Sequence, residues 1–324
     1  MLFLRRAVPL ALAVFLSVAT SRAAAPAFLN AASDHFNLYT TDNEAAARAA
    51  LDYFETARAY LLRLVGGVDQ FKNPVRIVGY KSNSEYRSHI PASIEAEHAF
   101  SKINGEDVTI VVDGLKPAAY QYALREYINL LIVRAAPNMP YWLRMGFREL
   151  YCTLKTGDGT VHIGEEPYME KRVDLATPNT STLTLLFTLS AASTWGDSAE
   201  AAHANGKFIA LGGVDDTLGV GVDPSYRLIA LHLTRMLMFD KAYSPKFGAY
   251  VDALTGGADS TATFKSVYGQ SLADVLVTLH LEMVQASHAA MTVKFSLPAE
   301  VHPRISNLSA AASDDMISEI KSRK

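Results

Sequence analysis

Cysteine is almost absent from this chain of 324 residues; Cys152 is the only one. A lone cysteine excludes an intramolecular disulfide, whatever the redox state of the compartment. With no histidine close by in sequence, Cys152 reads as a small apolar residue of the interior and not as a nucleophile. Charge is sparse too. Asp, Glu, Lys and Arg make up 19%, the formal net charge is −3, and no basic block occurs, so nothing invites nucleic acid. Beyond the amino terminus no apolar run is long enough to read as a membrane span. No self-similar period marks a repeat array. The glycines of the 197–221 stretch never form G-x-G-x-x-G after a strand and before a helix, so no phosphate loop is read there.

What remains is a globular composition, 49% hydrophobic, in a chain long enough for one large domain or two small ones. Met1 to about Ala25 has the layout of a secretory signal peptide. Arg5 and Arg6 form the charged start, Ala7 to Thr20 the apolar run, and Ser21 to Ala25 offer small-residue cleavage sites after Ala24 or Ala25. An uncleaved anchor is the rival reading. No cysteine near the cleavage site provides for a lipid anchor. The expected compartment is periplasmic or secreted, with no transmembrane segment after cleavage.

His35 to Thr41 reads as a strand, Glu44 to Val65 as an amphipathic helix stopped by Gly66-Gly67, and Val75 to Tyr80 as a second strand. Ser82 to His89 reads as a short helix, with Ser82 its cap and Glu85 at the third position. Ala99 to Ile103 and Val108 to Val112 read as paired strands around the turn signal Asn104-Gly105. Thr160 to Ile163 is one more short strand. Helical spacing returns from Pro224, in Tyr226 to Phe239, Lys246 to Leu254, Thr261 to Tyr268 and Ser271 to Ala286. The tail from Pro298 is polar and is expected to fray.

Ala118 to Leu154 is the centre of the chain. Leu124, Ile128, Leu131 and Ile132 make one apolar face of a helix. Pro137 and Pro140 interrupt it. Trp142, Leu143, Phe147, Leu150 and Tyr151 then resume helical spacing. The stretch resembles the active-site hairpin of gluzincin metallopeptidases, in the peptidase-MA-like branch of exported bacterial proteins. There the first helix carries H-E-x-x-H and the second a W-L-x-E-G-x-A-E-[FY] run whose first Glu completes a zinc site. Trp142, Leu143, Gly146, Glu149 and Tyr151 keep that frame. The first motif, however, is Arg125-Glu126-Tyr127-Ile128-Asn129, and Met145 stands at the third ligand position.

A catalytic zinc needs three ligands drawn from imidazole, carboxylate or thiolate. Arg125 is always protonated, Asn129 offers only a neutral carbonyl oxygen, and the Met145 thioether suits Cu(I) better than Zn(II). Glu126, at the family's general-base position, then has no acidified water to deprotonate. No metal or other cofactor is expected. The nine histidines supply no i, i+4 pair with a Glu between. Glu95, Glu97 and His98 cluster on what reads as a loop, and His280, Glu282 and His288 fall on one helix.

The resemblance implies an α+β fold. A zincin-like amino-terminal part, with a small mixed sheet and the active-site-type helix, precedes a mostly helical carboxy-terminal part. It spans 26–290, divided into a sheet with helices at 34–115, the helical hairpin at 116–155, an irregular insertion at 156–222 and helices at 223–290. A polar tail follows at 291–324. It also implies an exported, non-catalytic relative of zinc metallopeptidases that binds a peptide or protein, or serves as a structural part of the envelope. The alternative is an active peptidase or hydrolase with a displaced metal site. An extended peptide would add to the sheet edge. Arg125, Asn129, Glu149 and Tyr226 are the candidate binding residues. Two arrangements separate the uses. In one, Arg125 faces an open cleft and anchors an anion. In the other, it fills the space of the metal, pairs with Glu149 or Glu126, and Met145 plugs the rest.

Overall fold

The structure, a computed structural model, describes residues 27–91, 98–157, 159–165, 178–188, 208–209, 224–284, 290–295 and 302–322. Its elements alternate strand and helix in the amino-terminal half. β1 (Leu29–Ala32) and β2 (Phe36–Thr40) are antiparallel. Helix α1 (Glu44–Leu64) crosses to β3 (Val75–Gly79), which runs parallel to β2. The short α2 (Asn83–His89) leads to the hairpin β4 (Ala99–Asn104) and β5 (Asp107–Val112), and β5 lies parallel to β3. Gly105 holds the hairpin turn at φ +60°, a conformation open to glycine without steric cost.

Caps match the local chemistry. Asn43 caps α1 by accepting from the Ala46 amide, and Ser82 caps α2 by accepting from the Glu85 amide. The Glu85 carboxylate turns elsewhere and accepts from the Thr41 hydroxyl at 2.7 Å.

Both faces of the sheet are covered, which the unbroken apolar strands demand. Phe36, Leu38, Ile77, Ile110 and Val112 point into the main core with α1 and with α3 (Pro117–Ala135). Val78, Tyr80, Phe100 and Val111 point the other way, into a second core. That second core is closed by the chain's tail. β10 (Arg304–Asn307) pairs with β1, and α10 (Ala310–Lys321) seats Met316, Ile317 and Ile320 there. The expectation of a fraying tail is therefore corrected. Its polar residues form one face of an amphipathic helix whose apolar face is buried. The sheet is accordingly larger than expected, with order β10-β1-β2-β3-β5-β4-β8, where β8 is the two-residue Phe208–Ile209.

Next to the sheet lies the helical part: α4 (Tyr141–Tyr151), α5 (Thr180–Thr188), α6 (Pro224–Phe239), α7 (Ser244–Thr255), α8 (Ser260–Tyr268) and α9 (Leu272–Met283). Gly269 ends α8 at φ +71°, and Ser271 with Asp274 forms a capping box on α9. A separate sheet joins β6 (Lys155–Gly157), β7 (Thr160–Ile163) and β9 (Met291–Lys294). The fold is thus mixed α/β. Among the described residues no helix is long and apolar enough to cross a membrane. The residues read as a signal peptide, and most of those read as the insertion, lie outside the described residues.

Candidate functional site

Helices α3, α4 and α6 build the site. Pro140 breaks the chain between α3 and α4 and stands at the cap of α4, so the two helices fold back on each other. Trp142 locks the start of α4. It is fully buried, donates from Nε1 to Ser260 Oγ at 3.3 Å, and stacks on Phe187 with ring centroids 4.7 Å apart. Gly146 lets α6 approach. A Cβ there would lie 2.0 Å from Thr234 Oγ1 and 2.6 Å from the Ala230 carbonyl oxygen. Because α6 meets α4 this closely, Arg227, one turn before Ala230, reaches Glu149, one turn after Gly146.

Glu149 is the hub, 2% exposed. Its Oε2 takes Arg125 Nη2 at 3.0 Å. Its Oε1 takes Arg148 Nη2 at 3.0 Å and Arg227 Nη2 at 3.1 Å. Both neighbours also donate from Nε to the same oxygen at 3.2 Å. Burial alone would raise this carboxyl. Arg125, Arg227 and Arg148 outweigh it and hold Glu149 well below the usual carboxylate range. Burial likewise works against the charge of Arg125, and Glu149 foremost reverses that, raising Arg125 above an ordinary guanidinium.

The other expected residues fall around this hub. Arg125 is 6% exposed and packs over Tyr122, with its guanidinium carbon 5.9 Å from the ring centroid. Glu126 is buried and accepts from Ser101 Oγ of β4 at 2.8 Å. Asn129 is buried, with no acceptor for its Nδ2 among the described residues. Met145 is buried in the main core, where it fills space as a plug. Tyr226 lies half-buried against that core, and it is the next residue, Arg227, that joins the cluster. Cys152 is buried, donates to the Glu149 carbonyl at 3.3 Å, and lies 3.9 Å from Arg125 Nη2. Burial pushes its thiol up to about 11, so it is no nucleophile at neutral pH.

Sequence reasoning missed Arg148, Arg227 and Ser101. Arg148 was readable as the neighbour of Glu149 in the motif. Arg227 and Ser101 carried no local signal, because tertiary packing alone brings them in.

The zinc that the resemblance would imply does not fit these residues. A guanidinium that must stay protonated fills the first ligand position and is spent on Glu149. Among the described residues no group of three His, Cys, Asp or Glu side chains stands ready for a metal. Glu282 of the His280 helix pairs instead with Arg235 at 3.0 Å. His98 pairs with Asp113 at 2.5 Å; Glu95, Glu97 and His288 lie outside the described residues. The edge strand β4 is already paired with β8 at Ser101 and Lys102.

Comparison with family models, with curated proteins and with solved structures returns no match.

Proposed function

We propose that the chain is an exported, non-catalytic relative of zinc metallopeptidases, with a zincin-like arrangement in which an ion cluster stands where the metal would be held. It acts by binding a peptide or protein, or as a structural component of the cell envelope. The observation that carries this reading is the Arg125–Glu149 contact at 3.0 Å, closed in by Arg148 and Arg227. It matches the arrangement in which Arg125 replaces the metal and not the one in which Arg125 faces an open cleft. Glu126 supports the same reading, since its carboxylate is engaged by Ser101.

Zinc analysis of the purified protein tests this. Zinc well below one equivalent is expected, since a catalytic site requires about three ligands of imidazole, carboxylate or thiolate type. Stoichiometric zinc, together with a peptide-hydrolysing activity that Glu126→Gln abolishes, would overturn it and return the chain to the active hydrolases. Export is checked by the mass of the protein recovered from the host periplasm, with removal of residues up to Ala24 or Ala25 expected.

A further inference from the structure

A cleft of about 350 Å³ opens at the start of α3, lined by Tyr122 and not by Arg125. The volume falls in the range of small-molecule sites. Its polar groups come from four separate places in the chain: Lys81 and Asn83 after β3, His98 before β4, Asp113 after β5, and Lys116 at the cap of α3.

The register of the β4–β5 hairpin sets His98 opposite Asp113. The backbone confirms it, with the Asp113 amide donating to the His98 carbonyl at 2.9 Å. Asp113 Oδ2 then takes His98 Nδ1 at 2.5 Å and Asn83 Nδ2 at 3.1 Å. The imidazole lies flat on Tyr122, centroids 4.3 Å apart and planes 13° from parallel. The acid of the cleft is therefore engaged by its own neighbours and the ring is fixed. Lys81 and Lys116 are exposed, and neither makes a salt bridge among the described residues. Among the described lining residues one satisfied carboxylate faces two lysines, so positive charge is in excess there. Lys116 also gives α3 no side-chain cap, which leaves amide donors at that end. Tyr122 and Ala119 supply an apolar wall.

We infer that this cleft binds the oxyanion of a small organic molecule, a phosphate or carboxylate group held by Lys81 and Lys116 beside the fixed His98 ring, with its organic part against Tyr122. The site is separate from the Glu149 cluster and does not depend on whether that cluster is a former metal centre.

Titration of the 15N-labelled mature chain with inorganic phosphate, and in parallel with acetate, tests it at constant ionic strength. Saturable amide shifts are expected in residues 81–83 and 113–122 for at least one of the two anions. That binding weakens at least about tenfold in Lys81→Ala/Lys116→Ala, the loss that charged hydrogen bonds of 1.5–3 kcal/mol imply. Both side chains are exposed, so the variant keeps the wild-type fold, and Lys72→Ala, at an exposed lysine elsewhere, leaves binding unchanged. Absence of saturable shifts with either anion overturns the inference. So do shifts that persist in the double variant, or shifts centred on Arg125 and Arg148.

Discussion

Glu149 holds more of the site together than any other residue. Three guanidiniums depend on its charge for compensation inside the protein. Breaking a buried ion pair from one side costs about 3–5 kcal/mol, and Glu149→Gln is expected to reach at least that in urea unfolding. The pH dependence follows from the sign of the shift. A carboxyl held below its unfolded value of about 4.3 contributes its stability fully above that value and loses it as the pH falls toward the depressed folded value. The urea midpoint of the wild type should therefore drop as the pH falls below about 4. In Glu149→Gln that acid slope should shrink. An unchanged slope would mean that other carboxylates carry the acid sensitivity.

At this scale the sequence was legible where partners are close in the chain. The need of Arg125 for a carboxylate could be read directly. That the carboxylate would be Glu149 and not Glu126, and that Arg227 would share it, depends on how three helices dock.

Among the elements, α4 is the best read and the most constrained. Its start at Pro140, its apolar face and its Trp-Leu frame were all visible. Gly146 was visible only as part of a motif, and packing gives it a reason. A methyl there would press on the Ala230 carbonyl, which is backbone and cannot swing away. Overpacking typically costs about 1–3 kcal/mol, and Gly146→Ala should lie at the upper end or beyond, read as a lowered thermal midpoint. Gly66→Ala would not control for this, because its φ is +87°; Gly248→Ala, with nothing near the added methyl in an exposed stretch of helix, should raise the midpoint slightly, since alanine is the better helix former.

The hairpin turn at Asn104-Gly105 and the helices after Pro224 were equally legible, because each signal is local. β1, β6, β9 and β10 were not. All four are too short to show an alternation, and β9 and β10 also find their partners far away in sequence, so no local pattern announces them.

For the whole molecule, the surprise is how much of the fold the last residues complete. Met316, Ile317 and Ile320 bury against Phe28, Val78 and Tyr80. A fully buried apolar side chain is worth ~1.5–3 kcal/mol, so a chain ending at His302 should lose on the order of 5 kcal/mol and bind a hydrophobic dye. A truncated chain of unchanged stability would show the second core to be dispensable.

Strand β10 sits beside β1, at opposite ends of the polypeptide. The sheet therefore lacks its β10 strand until residues 304–307 have been made, and closing so long a loop slows that step. On the proposed reading of an exported chain, that delay would hold the polypeptide in a loose form that can be threaded.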